Sequence, residues 1–69
     1  MRWRRCYNGY QLVNADEEVV GTLFKDRGTW HACRTDAFGF ILSTRYHDYF
    51  KDAKADLVAH IVAVALEDS

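Results

Sequence analysis

The last third of the chain contains nothing that would break a helix. From Arg45 to Glu67 there is neither a glycine nor a proline. A hydroxyl at Ser43 or Thr44 can accept hydrogen bonds from the free N–H groups of a first turn, and Asp48 suits the positive end of the helix dipole. These residues predict one helix that begins near Ser43 or Thr44 and ends near Glu67, about 34 Å long for roughly 23 residues.

The preceding residues are divided by turn formers into short segments of strand formers. Asn8-Gly9 favours a tight hairpin in which both residues have positive φ. Further turn formers follow at 14–18, at 25–28, where Gly28 suits a left-handed position, and from Thr35 onward. The segments between these turns predict strands at residues 5–7, 10–13, 19–24, 29–34 and 38–42.

Together these elements predict an α+β fold, in which an antiparallel β-meander of three to four short strands, with an N-terminal hairpin strand in addition, is packed by one long C-terminal helix. A length of 69 residues leaves room for one domain, residues 1–69. The alternation in 29–34 places Trp30 and Ala32 on one face of the sheet and His31 and Cys33 on the other.

The predicted helix has two apolar faces. The first has the spacing of a helix that lies on a sheet and consists of Tyr46, Phe50, Ala53, Leu57, Ile61 and Val64. The second lies further around the helix and consists of Ala55, Val58, Ala59, Val62 and Leu66. A small domain has little surface to spare for a second face, so we expect it to bind a second copy of the chain, since two-fold dimers are the commonest oligomers. The alternative is that a longer sheet or the N-terminal hairpin folds over it.

The charges and cysteines exclude several classes of protein. The formal net charge is −1, so no overall field attracts nucleic acid. Cys6 and Cys33 are too few for a disulfide framework. The N-terminus lacks a secretory signal pattern, and no apolar run reaches the ~20 residues of a membrane span. We expect a cytoplasmic protein with reduced thiols and no membrane partner.

No pattern in the sequence predicts an active site or a metal centre. The histidines and cysteines lack the spacing of a zinc site. Cys6, His31 and Cys33 would form a sensor site only if the fold brought Cys6 to the strand that holds the other two. A Cys33–His31 pair has no third group to orient it, and a domain this small rarely encloses a ligand cavity. We expect no catalytic residue, metal, cofactor or small-molecule substrate.

The N-terminal residues Arg2, Trp3, Arg4 and Arg5 combine arginines with an aromatic ring. This composition fits phosphate contacts together with base stacking. It also fits an edge strand whose arginines discourage aggregation while Trp3 turns toward the core. The sequence leaves both interpretations open.

Residues 21–53 resemble a class of small DNA-binding modules, namely the three-stranded-sheet-plus-helix modules of phage-type tyrosine integrases and the related AP2-like domains. The residues that carry the resemblance are Gly21, Gly28, Trp30, Ala32 and Arg34 in a hairpin, followed by 40–45, which is similar to that class's entry into the closing helix. The resemblance implies a sheet that enters the major groove of DNA. The groove-facing residues would then be Lys25, Arg27, His31 and Arg34.

Two functions follow as hypotheses. The first is a small non-catalytic binding or regulatory module that acts as a homodimer through the helix face of Ala55, Val58, Ala59, Val62 and Leu66. Its architecture is similar to that of small accessory proteins of bacteriophages and mobile elements, which implies that it binds another protein. The second is a DNA-binding regulator that uses the sheet and the N-terminus, through Arg2, Trp3, Arg4, Arg5, Lys25, Arg27, His31 and Arg34.

Overall fold

Five consecutive strands and one helix make up the structure. The computed structural model describes residues 1–67. The strands form one antiparallel sheet in the order in which they occur along the chain. The elements are β1 (Arg2–Cys6), β2 (Gly9–Val13), β3 (Val19–Asp26), β4 (Thr29–Thr35), β5 (Ile41–His47) and α1 (Phe50–Glu67). The predicted α+β meander with one C-terminal helix is confirmed, and its sheet has five strands.

Two of the hairpins use the same side-chain device. The Asn14 side-chain oxygen accepts hydrogen bonds from the backbone N–H groups of Asp16 and Glu18. In the same way, Asp36 accepts from the N–H groups of Phe38 and Phe40. Such short acceptors hold a turn by replacing a backbone partner, which explains why strands end at these positions.

The glycines act differently from one hairpin to the next. Arg27 and Gly28 both have positive φ, 52° and 81°, so the β3–β4 hairpin closes as a two-residue turn of the type I′ kind. The prediction that Asn8 and Gly9 have positive φ is wrong, because neither does. Gly9 belongs to β2, where an added Cβ would lie 2.1 Å from the carbonyl oxygen of Leu23. The close approach of β3, and not turn geometry, requires a glycine there.

The predicted start of the helix is also wrong, since residues 41–47 form β5 and α1 begins at Phe50. Pairing with β4 places Thr44 opposite Cys33 and Tyr46 opposite His31. This pairing satisfies the backbone of a segment rich in strand formers. Tyr46, assigned from the sequence to the buried helix face, therefore lies on the sheet and is 65% exposed.

The core lies between α1 and one face of the sheet. Ala53 and Leu57 of α1 are buried against Leu23 and Ala32. The partly buried side chains around them are Trp3, Tyr10, Trp30, Phe50 and Ile61. The predicted first helix face is thus confirmed for Phe50, Ala53, Leu57 and Ile61. α1 packs over β3, β4 and β5 and not over β1 or β2, although Leu12 of β2 is 1% exposed.

Candidate interaction surfaces

The second apolar face of α1 lies away from the sheet. Val62 is 42% exposed and Leu66 is 70% exposed, while Ala55 and Ala59 also lie at the surface. Val58 is half-buried. We call this set the outer face of α1. It consists of the same residues as the second apolar face predicted from the sequence, and most of its length is accessible to another molecule.

A shallow groove separates the outer face of α1 from β1. Its lining residues are Trp3, Phe50, Lys51, Lys54, Ala55 and Val58. The groove exists because α1 is displaced toward β5, so that Trp3 reaches the near side of the helix from β1. Trp3 of the N-terminal hairpin therefore borders the outer face at Ala55 and Val58, while Val62 stays exposed.

Lys54 links the two walls of this groove. Its ammonium nitrogen Nζ lies 5.4 Å from the Trp3 ring centroid and 5.8 Å from that of Phe50. Both distances fit cation–π attraction. Trp3 is thereby held toward the helix side of the sheet, as the edge-strand interpretation of the N-terminus requires.

A charged cluster ties α1 to the edge strand β5. Asp56 Oδ1 accepts a hydrogen bond of 2.8 Å from Arg45 Nη1, and His47 Nε2 lies 2.8 Å from Asp56 Oδ2. Partial burial raises the pKa of Asp56, but the hydrogen bonds with His47 and Arg45 and the charge of Arg45 lower it by more, so that this pKa lies below its usual value. The cluster therefore joins the helix to β5 through two side-chain contacts.

The lowered pKa makes the contribution of this cluster dependent on pH. A carboxylate whose pKa is lower in the folded protein stabilises it above the unfolded-state pKa of about 3.9, and this contribution is lost as the pH falls through the folded-state value. We expect Asp56→Asn to have a lower free energy of unfolding than the wild type at pH 7, and this difference to shrink as the pH falls below the folded-state pKa of Asp56. Urea unfolding across this range measures the difference. Asp52→Asn, at an exposed position of the same helix, is the control, and a constant difference for Asp56→Asn would contradict the assignment.

The face of the sheet opposite α1 carries a row of rings. The Phe24 and His31 ring centroids are 4.8 Å apart and nearly parallel, and Tyr46 meets His31 edge-on at 4.8 Å. Beside this row, Cys33 is buried with its sulfur 3.5 Å from the Thr44 hydroxyl oxygen. We call this surface the open face. The prediction that His31 and Cys33 lie on one face of the sheet and Trp30 and Ala32 on the other is confirmed.

The residues predicted to bind nucleic acid do not share one surface. Arg2, Arg4 and His31 lie on the open face, where Arg2 pairs with Glu17 and Arg4 donates to Gln11. Trp3, Arg5, Lys25 and Arg34 lie on the helix side of the sheet, and Arg27 is in the β3–β4 turn. The Nε of Arg34 is buried without a hydrogen-bond partner in residues 1–67, and Lys25 lies 6.0 Å from the Trp30 ring centroid.

The cysteines lie apart and are free thiols. Cys6 is on β1 and Cys33 on β4, with two strands between them, a separation of about 14 Å at the usual strand spacing. The fold therefore does not bring Cys6 to His31 and Cys33. Within the described part of the chain, no group of three or more potential ligand residues is placed to hold a metal ion.

The sequence reasoning missed the apolar side chains around β5. Those most exposed are Phe38, Phe40, Ile41, Leu42, Tyr46 and Tyr49. The predicted strand at 38–42 is wrong in its bounds, since β5 is Ile41–His47, and the signal that could have extended it is the strand-forming composition of residues 43–47, which the prediction gave to the helix. As a strand at the end of the sheet order, β5 has one side without a neighbour.

Comparison with known proteins supplies no further guide, because no protein-family model, curated protein or solved structure matches this chain. Among residues 1–67, no helix has the length and apolar character needed to cross a membrane. The surfaces themselves must support any functional conclusion.

Proposed function

We propose that this chain is a non-catalytic binding module that acts as a homodimer through the outer face of α1. The observation that carries the proposal is the position of Ala59 and Val62, which are exposed on a side of the helix that the sheet does not cover. A helix that is apolar on two sides in a small domain is stabilised when the second side is also buried.

A second copy suits this surface better than an unrelated helix. Ala55 and Ala59 allow two helix backbones to approach closely, and Val58 and Val62 can interlock at the centre of a two-fold contact. Such a contact is self-complementary by symmetry. The net charge of −1 opposes the pairing of two copies only weakly.

A dimer of this kind leaves the open face of both copies available. The row of Phe24, His31 and Tyr46 would then be presented twice, at a fixed spacing, to a further protein. We infer an accessory or regulatory role in which the protein binds another protein, in keeping with the resemblance to small phage accessory proteins.

The test is the mass in solution of a Val62→Glu variant. We expect the wild type to dimerise at micromolar concentration and Val62→Glu to be monomeric, because the carboxylate would be buried without a partner. Sedimentation in about 0.5 M salt measures this while it screens exposed charges. Ala63→Glu adds the same charge at the neighbouring exposed position and should leave the dimer intact. A monomeric wild type, or a dimeric Val62→Glu with a normal circular dichroism spectrum, would refute the proposal.

The geometry favours this function over DNA binding. A groove-binding sheet needs its basic side chains on one surface, whereas the fold divides the predicted residues between two faces and a turn. Arg2 and Arg4 on the open face are also engaged with Glu17 and Gln11. DNA binding therefore stays a prediction from the sequence.

A further inference from the structure

The two edges of the sheet are chemically unlike. Each edge strand presents backbone N–H and C=O groups without a neighbouring strand, and proteins usually guard such edges with charges. The β1 edge carries the exposed Arg2, Arg4 and Arg5, which outnumber the one carboxylate paired with them, that of Glu17, so the edge stays net positive. On β5, by contrast, the arginine Arg45 is already bonded to Asp56. The side chains around this strand are mostly exposed and apolar.

The helix adds acidic groups to the β5 edge. Asp56 faces β5, as its contacts with Arg45 and His47 show. Asp52 and Glu67 lie four residues before and eleven after Asp56, which places them on the same side of α1 at 3.6 residues per turn. Both are exposed, and the last turn of α1 contains no basic residue. Asp48, just before α1, is exposed as well.

Two copies can join sheet edges in three ways, and charge distinguishes them. Pairing β1 with β1 brings arginines together, and pairing β5 with β5 brings the acidic sides of two helices together. Pairing β1 with β5 places basic groups beside acidic ones. We infer that the β5 edge binds β1 of a second copy of this chain, so that copies associate head to tail through a continuous sheet.

Antiparallel pairing suits the side chains best. Since β1 and β5 run in the same direction within one copy, an antiparallel contact requires the second copy to be turned over, with its helix on the other side. Its Arg2 and Arg4 then lie on the same side as Asp52 and Glu67 of the first copy. Its Trp3 and Arg5 lie on the side of the first copy's Tyr46, where ring and cation–π contacts can form.

The outer face of α1 lies between the groove beside β1 and the acidic side of the helix, so the two contacts are tested separately by disabling the outer face with Val62→Glu. A head-to-tail contact does not close on itself and can repeat. The wild type at low salt is therefore expected to form species larger than a dimer, and high salt to return it to the dimer.

The experiment uses two charge-reversed chains, both in the Val62→Glu background so that the outer face of α1 does not contribute. One carries Arg2→Glu and Arg4→Glu, which makes both edges acidic. The other carries Asp52→Lys and Glu67→Lys, which makes both edges basic. Sedimentation in about 0.05 M salt follows each alone and in a 1:1 mixture.

We expect the Val62→Glu parent to associate at low salt, each charge-reversed chain alone to lose that association, and the mixture to regain it. A parent that stays monomeric at low salt would overturn the inference. So would association that the reversals leave unchanged, because that outcome would assign the contact to β5 pairing with β5 or to another apolar surface. The outer-face dimer is tested separately, by comparing the mass of the wild type with that of Val62→Glu in high salt.

Discussion

Replacing Leu57 by alanine is expected to lower the free energy of unfolding by about 2–5 kcal/mol. Leu57 is 1% exposed and lies at the centre of the contact between α1 and the sheet. Its Cδ2 is 3.1 Å from where a Cβ on Gly21 would lie, so the helix rests directly on the backbone of β3. Truncation would leave a cavity that neither the backbone of β3 nor Ala53 can fill.

For a domain of this size such a loss is a large part of the total stability, which is about 3–10 kcal/mol at typical values per residue. Urea unfolding followed by tryptophan fluorescence measures it, since Trp3 and Trp30 pack against this core. Leu42→Ala, at a leucine of β5 that is 50% exposed and outside the outer face of α1, should cost much less. Equal losses for the two variants would contradict the packing described above.

A second large effect is expected from Gly9→Ala. The added Cβ would lie 2.1 Å from the Leu23 carbonyl oxygen and 3.0 Å from the Phe24 Cα. Both are backbone atoms of β3, so no side-chain rotation can relieve the contact, and β2 must move away from β3. We expect a loss of at least about 1–3 kcal/mol, as for an overpacked core, together with faster amide exchange along β2 and β3.

The matched control for this variant is Gly28→Asn. Gly28 has a φ of 81° and no atom near its Cβ direction, and asparagine tolerates the left-handed conformation better than most residues. Its cost should therefore be well below that of Gly9→Ala. If Gly28→Asn proved the more destabilising, the positive φ of the turn would matter more for stability than the close contact between β2 and β3 at Gly9.

Local patterns predicted much of the architecture. The turn formers at 14–18 and from Thr35 mark real hairpins because Asn14 and Asp36 act within a few residues of themselves. The alternation in 29–34 gave the correct faces for Trp30 and His31. The spacing of Phe50, Leu57 and Ile61 likewise identified the buried side of α1.

The interaction surfaces were predictable only in part. The composition of the outer face of α1 is visible in the sequence, because helical periodicity depends on spacing alone. Lys25 and Arg34 lie on one face of the sheet, and Arg2 and Arg4 lie on the other. This arrangement depends on how the strands are aligned with one another, which the sequence of a single strand does not determine. The groove at Trp3 depends on the displacement of α1 toward β5.

The long segment without helix breakers thus determined, by itself, that the chain ends in one amphipathic helix with two apolar faces. Where that helix begins was decided by tertiary structure. Residues 41–47 have no glycine or proline and could extend a helix locally, yet β4 offers backbone partners and a buried neighbour in Cys33 to this segment as a strand. Helical hydrogen bonds form between residues close in sequence, whereas those of β5 depend on a strand that only the folded sheet places beside it.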